Sequence, residues 1–298
     1  MTLPASGALS MSAINTEFAL GNNLGAYRGV TWYTDAGATG TFTSTNLGMD
    51  QFYSKRKTSP TFSFAIASNT TNANLRTLAV NAGWNQSSAV VATINSGVVV
   101  YSTSTGTPAL TVNGSFPGGV QLVNNGTILG AGGAGGKGSD FTPSNMTAGG
   151  GGGLGLSVSV AVSINNVNRI SGGGGGGGGG NRTFFNPGGK GGGILTGSGG
   201  GGGGGIGNGA GGATGVNNDP PFSTSGSAGT LTSNGTGGLG SCGAGGAGGN
   251  GGSYGAAGSA GGNSAYGVGA SGGAAGAAVA GNANITWIAV GTRNGGIS

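Results

Sequence analysis

Glycine recurs at every third position between residues 243 and 261, and this period constrains the fold more than any other feature of the chain. It fits neither the 3.6-residue turn of an α-helix nor the two-residue alternation of a β-strand. It fits a left-handed polyproline II-type helix, which has three residues per turn and no internal hydrogen bonds. A row without side chains lets neighbouring backbones come close enough to bond to one another. The pattern therefore predicts a bundle of folded-back glycine helices, a polyglycine II sandwich.

Two other structures of glycine-rich chains are alternatives. A collagen triple helix needs abundant proline, whereas this chain has 8 prolines against 79 glycines and none of the prolines lies between residues 243 and 261. A disordered glycine linker remains an alternative. The apolar and aromatic residues that interrupt the glycine tracts favour the folded bundle.

The composition excludes most enzymatic chemistry. Charged residues make up 5% of the chain, against about 25% in ordinary globular proteins. There is no histidine and one cysteine, Cys242, so a Ser-His-Asp or Cys-His set, an intrachain disulfide and a cysteine metal cluster are all excluded. The carboxylates stand far apart in sequence, at Glu17, Asp35, Asp50, Asp140 and Asp219. We expect a protein that is not an enzyme and that holds no cofactor and no metal.

The charge and hydropathy patterns bear on partners and location. The formal charge of +5 comes from ten scattered basic residues, and no basic stripe indicates nucleic-acid binding. The first residues lack a basic region followed by a long apolar core, so we expect no secretory signal peptide. No run of 18 apolar residues indicates a transmembrane segment.

The chain divides into three parts by composition. Residues 1–118 contain 12 of the 79 glycines, which leaves 67 for residues 119–298. We predict a mainly β and irregular fold: an N-terminal docking segment with a short helix over residues 1–60, a β-strand stem over residues 61–118, and a polyglycine II helix sandwich over residues 119–298.

The docking segment is predicted from its helix signal and its aromatic residues. Ser12 is the expected helix cap, and Gly21 is expected just beyond the end of the helix. With too few apolar residues for a core of its own, the segment is expected to bury apolar side chains against another protein. The residues expected to do so are Ile14, Phe18, Trp32, Phe52 and Tyr53. A small cap on the following domain is the alternative.

Strands are predicted where apolar residues alternate. Residues 61–66 alternate in this way, and residues 89–94 and 98–101 are β-branched runs separated by a hairpin-type break at residues 95–97. Residues 75–80 suit a short helix or a strand. Two later units each combine an alternating strand, an Asn-Asn turn and a glycine tract, which predicts stacked β-layers. The strand at residues 285–290 is expected to return to the β region, so that both ends of the glycine domain lie on one side and its loops on the other.

Several motifs resemble those of tailed-bacteriophage tail fibre and tail tip adhesins. They are the N-terminal SGALSMSAINTEF with DQFY further on, the VQLVNNGTILGAGGAGG run from residue 120, and the C-terminal NITWIAVGTRNGGI. The resemblance implies a virion tail protein without catalytic chemistry. It also implies that residues 1–60 attach to other phage tail proteins, and that the glycine domain presents loops to a bacterial surface receptor, a protein or a polysaccharide. Because phage fibres are commonly trimers, we expect a homo-oligomer.

Three insertions between the glycine tracts combine proline, asparagine and phenylalanine, a composition typical of turns. Aromatic side chains on rigid turns offer contact area at a low entropic cost. By the resemblance, we place the receptor contacts on these loops, at Phe141, Arg182, Phe184, Phe185, Asp219 and Phe222. Tyr254 and Tyr266 are secondary candidates. The alternative is that the phenylalanines only cap the ends of the sandwich.

Two other functions are consistent with such a scaffold. A virion structural or decoration protein would use the same stable sandwich without binding a receptor. An ice-binding protein of the springtail antifreeze type also uses polyglycine II bundles, but it leaves residues 1–118 unexplained and would be expected to carry disulfides. We therefore rank it below the other two.

Overall fold

The computed structural model describes residues 2–140, 145–185, 195–215, 223–241, 245–265 and 267–298, with the backbone alone at residues 183–185 and 195–197. The described residues form a mainly β protein with two α-helices, α1 (Met11–Phe18) and α2 (Leu75–Asn81). Short 3-10 helices lie at Leu24–Tyr27, Met49–Phe52 and Asn282–Asn284. The strands are β1 (Thr31–Tyr33), β2 (Thr39–Thr41), β3 (Thr61–Ile66), β4 (Thr70–Thr71), β5 (Ala73–Asn74), β6 (Ala89–Ile94), β7 (Val99–Tyr101), β8 (Leu110–Val112), β9 (Val120–Asn124), β10 (Thr127–Leu129), β11 (Leu156–Val158), β12 (Val162–Asn166), β13 (Arg169–Ser171), β14 (Thr183–Phe185), β15 (Leu195–Gly197), β16 (Val279–Ala280), β17 (Ile285–Ala289) and β18 (Thr292–Asn294).

Helix α1 begins two residues earlier than the sequence suggested. Ser10 is its N-cap, with an extended backbone and a hydroxyl that accepts a 3.1 Å hydrogen bond from the Ala13 amide. The prediction of Ser12 as the cap is therefore wrong, because Ser12 already lies within the first turn. The helix ends at Ala19, whose left-handed backbone (φ 58°) turns the chain away.

The N-terminal segment has a hydrophobic core of its own. Phe18 lies at its centre, with the rings of Tyr27, Phe42 and Phe52 at centroid distances of 5.4 to 6.1 Å, all in edge-to-face contact. The expectation that this segment has too few apolar residues for a core is therefore wrong. Each buried aromatic ring removes about 150–250 Å² of surface from water, so a few rings replace many aliphatic side chains.

The β region is a parallel solenoid rather than a set of hairpins. Successive strands enter three sheets in turn, and all pairings within these sheets are parallel. The sheet orders are β3-β6-β9-β12-β17, β4-β7-β10-β13-β18 and β5-β8-β11-β16. The inward-facing apolar side chains of all three sheets form one continuous core.

The predicted hairpin between residues 89–94 and 98–101 is wrong. Strands β6 and β7 lie in different sheets, and β6 pairs with β3 and β9 instead of with β7. The turn at residues 95–98 is a corner of the solenoid. Local alternation reports which side chains face a core, but it does not report which strand lies alongside.

Two buried asparagines stack at another corner of the solenoid. Asn124 donates a 2.8 Å hydrogen bond to the side-chain oxygen of Asn166, and Asn166 donates a 2.7 Å bond to the Val290 carbonyl. Both asparagines are fully buried. Their amides link three successive coils at this turn, alongside backbone bonds such as the one from the Val167 amide to the Asn124 carbonyl.

The glycine-rich chain leaves the solenoid twice, from the second sheet, and returns each time to the third. The first excursion runs from β10 to β11 and the second from β13 to β16. The predicted return of the final strand is confirmed, because β17 pairs with β12 in the first sheet. Strands on both sides of residue 118 therefore share the same sheets, and the solenoid includes parts of the chain that the composition assigned to the glycine domain.

In the described part of the excursions, ten extended segments pack side by side. They are residues 130–139, 147–155, 172–181, 198–206, 209–215, 224–230, 235–241, 245–252, 256–262 and 269–278. Hydrogen bonds run between segments, and any one neighbour is contacted at every third residue. Two of the segments, residues 172–181 and residues 198–206, are surrounded by six others, and we call them the first and second central segments.

The first central segment shows the pattern in full. Gly173, Gly176 and Gly179 donate to residues 147–153, Gly174, Gly177 and Gly180 donate to residues 200–206, and Gly175, Gly178 and Asn181 donate to residues 256–262. Its carbonyls accept on the same period from residues 133–139, 246–252 and 270–276. All three rows of such a segment face other backbones, which explains why nine consecutive glycines occupy it. A Cβ on Gly176 would lie 1.9 Å from the Ala134 carbonyl oxygen.

Segments at the edge of the array carry side chains on the row that faces outward. In residues 245–252, glycine fills the two inward rows, while Ala247 and Asn250 on the third row are exposed. The glycine period of three in the sequence thus corresponds to the three rows of residues on each segment, of which glycine fills those that face other segments.

Candidate functional site at the distal end of the glycine array

The connections between glycine segments lie at the two opposite ends of the array. Hydrogen bonds from Gly199 to Ser139, from Asn181 to Gly262 and from Ser241 to Ser198 join segment ends on the side away from the solenoid, which we call the distal end. Loops 140–146, 182–197, 216–222, 242–244 and 263–268 all begin and end there. The turns near residues 207, 231 and 254 lie at the solenoid end.

The three sequence-predicted receptor loops are therefore anchored together. Phe141, Asp219 and Phe222 lie outside the described residues. Phe184 and Phe185 belong to β14, which forms an antiparallel hairpin with β15. Arg182 is half-buried between this hairpin and the end of the first central segment, and its amide donates to the side chain of Asn181 at 2.8 Å.

Of the two tyrosines named as secondary candidates for receptor contacts, the structure describes one. Tyr254 lies at the solenoid end, where its hydroxyl donates to the Leu231 carbonyl at 3.0 Å and the Arg169 guanidinium lies 4.0 Å from its ring centroid. Tyr254 is therefore remote from the distal loops and joins the array to the solenoid. Tyr266 lies outside the described residues.

An ion pair closes the base of loop 140–146. The Lys137 Nζ lies 2.6 Å from a carboxylate oxygen of Asp140, which also accepts a 3.2 Å bond from the side chain of Asn145. The Lys137 amide donates to the Thr147 hydroxyl at 2.7 Å. The two sides of the loop are thereby joined through the Asp140 carboxylate and through the bond between the Lys137 amide and the Thr147 hydroxyl.

Buried hydroxyls form the base of three further loops. Ser198 follows loop 182–197, Ser223 follows loop 216–222, and Ser241 precedes loop 242–244. The Ser198 and Ser223 hydroxyls are 2.7 Å apart, and the Ser198 amide donates to the Ser241 hydroxyl at 2.7 Å. The three residues are between 1% and 8% exposed. A polar cluster at this depth is shielded from water by the array itself.

No sequence motif pointed to these polar residues. A signal was nevertheless present, since a serine or asparagine stands where a glycine tract meets a distal loop. The residues with this property are Ser139, Asn181, Ser198, Ser223 and Ser241. Because glycine has no side chain, the end of a glycine tract is the first position at which a side chain can hydrogen-bond to the last backbone groups of the array.

The five residues expected to attach the N-terminal segment fall into two groups. Ile14, Phe18 and Phe52 are at most 1% exposed and form the core of the segment itself, so they are not free to bury against another protein. Trp32 and Tyr53 are half-buried. Lys55 Nζ lies 3.4 Å from the Trp32 ring centroid, and the Tyr53 hydroxyl donates to the Gly7 carbonyl.

Titratable chemistry is sparse in the described residues. Asp35 accepts a hydrogen bond from the Thr2 hydroxyl, which with the nearby Arg56 holds the pKa of its carboxyl below the ordinary value. Within the described ranges, no three His, Cys, Asp or Glu residues converge on a point where a metal ion would bind. None of the helices described is long and apolar enough to cross a membrane.

The comparisons with known proteins agree with this architecture. A search of the curated proteins gave no significant match. A crystal structure of the gp37-gp38 adhesin tip complex of the bacteriophage S16 long tail fibre contains a similar chain, with 26% sequence identity and a TM-score of 0.57 over 99% of this chain and 100% of that one. The family model of the phage tail fibre adhesin Gp38 matches residues 61–298, which takes in the whole solenoid and the glycine array. The chain therefore belongs to the Gp38 family of phage tail fibre adhesins and is a component of the virion tail.

Proposed function

We propose that this adhesin binds a receptor on the bacterial surface through the loops at the distal end of the glycine array. The observation that carries the proposal is the common anchoring of five loops at the end away from the solenoid. Loops on a rigid scaffold are the usual location of variable recognition residues. The receptor is a surface protein or a surface polysaccharide.

We infer that the ten glycine segments are polyglycine II helices packed as a sandwich. Hydrogen bonding to any one neighbour at every third residue supports this assignment, as does the surrounding of each central segment by six others. The central helices have their backbone groups satisfied by their neighbours, so the array is rigid although it contains few apolar side chains. A rigid array would hold the loops without a large entropic cost on binding.

Residues 1–60 are proposed to attach the adhesin to other phage tail proteins. The similar solved chain belongs to a gp37-gp38 complex, which supports such an association. Trp32 and Tyr53 are the aromatic members of the predicted set with surface available, whereas Ile14, Phe18 and Phe52 act through the fold of the segment.

Receptor binding is tested with the labelled full-length chain on intact cells of a bacterial strain that the phage infects. The variants are Phe184→Ala with Phe185→Ala, Phe222→Ala, and Arg182→Ala. The matched control is Val167→Ala, an exposed apolar residue (61%) on the solenoid. Saturable binding that weakens at least about tenfold in the loop variants and persists in the control is expected.

Full binding by every loop variant would overturn the proposal and favour a structural or decoration role in the virion. The homo-oligomer expected from the resemblance stays a prediction. Each central segment obtains all six neighbours from its own chain, so the array itself does not require a second copy. Light scattering of the purified chain measures the oligomeric state directly.

A further inference from the structure

We propose that the buried hydroxyls of Ser198, Ser223 and Ser241 are positioning residues that couple loops 182–197, 216–222 and 242–244 into one unit. This inference rests on the proposed function, because it assigns to that same site a source of receptor selectivity that lies beneath the contacting residues. The three serines lie under the loops and are almost fully buried, so a bound receptor would not touch them.

Ser198 is the hub of the cluster. Its amide donates to the Ser241 hydroxyl at 2.7 Å, and its carbonyl accepts from the Ser241 amide at 3.0 Å. Its own hydroxyl lies 2.7 Å from that of Ser223. One residue thus holds the chain that leaves loop 182–197 against the chains that border the other two loops.

Ser223 extends the cluster to the opposite side of its own loop. Its hydroxyl lies 3.0 Å from the Thr214 hydroxyl and 3.1 Å from the Gly215 carbonyl. Thr214 and Gly215 come immediately before loop 216–222, and Ser223 comes immediately after it. The two ends of this loop are therefore fixed to each other and, through Ser198, to loop 182–197.

Burial makes the coupling strong. A hydroxyl that loses its partner at the surface bonds to water, whereas one that loses its partner at this depth is left unsatisfied. Hydrogen-bonded groups in a region of low dielectric also polarise one another, so the cluster favours one joint arrangement. Moving the base at Ser198 would break bonds at the other two.

Receptor-contacting side chains on different loops should then behave as one surface. Substituting a serine of the base would change the affinity for the receptor without removing a contact. The effect of a substitution on one loop would also depend on the base beneath another loop, which a purely local structural role does not produce.

Hydrogen–deuterium exchange of the full-length chain tests the coupling without any receptor. Ser198→Ala, which removes the bond to Ser223, is expected to raise amide exchange at least about fivefold in loop 216–222 as well as in its own loop. Ser241→Ala, which removes the acceptor of the Ser198 amide, is expected to do the same in loop 182–197 as well as in loop 242–244. The matched control is Ser171→Ala, which removes a fully buried hydroxyl at the solenoid end of the first central segment. The control should leave all three loops unchanged. Faster exchange confined to residues next to Ser198 would overturn the inference. If Ser198→Ala does not fold, Ser223→Ala is used in the same way.

A double-mutant cycle, measured on intact cells of a strain that the phage infects, then tests whether the coupling affects receptor binding. Ser198→Ala, Phe222→Ala and their combination are compared by the apparent Kd of the labelled chain. A combined effect that departs at least about threefold from the product of the two single effects is expected. If the combined effect on Kd equals the product of the two single effects, the coupling inference is overturned and the proposed receptor function is not affected. If loop exchange is coupled but no variant of loop or base changes cell binding, the coupling stands and the proposed receptor function is overturned.

Discussion

Lys137 Nζ lies 2.6 Å from a carboxylate oxygen of Asp140, three residues further along the chain, and this contact closes the base of a distal loop. The Asp140 side chain is 16% exposed and that of Lys137 is 37% exposed. Arg56 and Asp35 form a second pair, in which Asp35 is 67% exposed. Because the Lys137–Asp140 pair is more buried than the Arg56–Asp35 pair, we expect it to contribute more to the free energy of unfolding.

Replacing Lys137 by Met should lower the free energy of unfolding by about 1 kcal/mol or more, since it leaves a largely buried carboxylate without its cation. Replacing Arg56 by Met should cost well under about 1 kcal/mol, because solvent screens the exposed partner. Urea denaturation at low and high salt measures both losses. Equal losses in the two variants would contradict the argument from burial.

Gly176→Ala should prevent the glycine array from forming. The added Cβ would lie 1.9 Å from the Ala134 carbonyl oxygen, and backbone atoms that are bonded on all sides cannot move away. Ala247→Ser, on an exposed outward row, is the matched control and should be neutral. Circular dichroism and protease resistance distinguish the two outcomes. A folded, resistant Gly176→Ala protein would show that the central segment tolerates side chains.

Asn166→Ala should destabilise the solenoid by about 1–3 kcal/mol, because it removes the buried partner of one Asn124 amide hydrogen and of the Val290 carbonyl. Asn165→Ala is the control on the same strand, as Asn165 faces away from the core. Guanidinium denaturation of the full chain measures the two changes. A loss in the Asn165 variant as large as that in the Asn166 variant would contradict a specific role for the asparagine stack.

The N-terminal segment should lose stability at alkaline pH through Tyr27. Burial raises the pKa of the Tyr27 hydroxyl, which is also hydrogen-bonded to the Gly21 carbonyl. The folded state therefore holds this proton more tightly than the unfolded state. Its contribution is fully present below the ordinary tyrosine value, about pH 10, and is lost as the pH rises through the folded pKa.

The measurement is the Tm of the full chain between about pH 8 and pH 11, compared with that of Tyr27→Phe. The variant should have a lower Tm than the native chain at neutral pH because the hydrogen bond is lost. This gap in Tm between the two proteins should narrow at high pH. A gap that stays constant across this range would show that Tyr27 ionises as readily in the folded state as in the unfolded state.

Much of the local structure follows from short-range pattern. The alternation at Phe62, Phe64 and Ile66 predicted β3, and the glycine period of three predicted segments that bond only to neighbours. The motifs near both ends predicted the adhesin family that the comparison over residues 61–298 shows. These features depend on residues a few positions apart, where the chain's own geometry determines which groups meet.

The pairing of strands and the joint anchoring of the loops did not follow from pattern. Strand β12 pairs with β17 across an excursion of more than a hundred residues, and the turn after β6 looks the same in sequence whether it makes a hairpin or a solenoid corner. The hydroxyl cluster joins Ser198 to residues 25 and 43 positions away. Such contacts depend on how segments stack.

The sequence by itself determined that this protein has alternating strands and glycine segments without internal bonds, because both are properties of composition or of neighbouring residues. Only the tertiary structure decided that the strands wind into a parallel solenoid, that two segments made almost entirely of glycine lie at the centre of the array, and that the distal loops share a base. A glycine backbone carries no side chain to specify its partner. Its position is therefore set by the packing of all ten segments together.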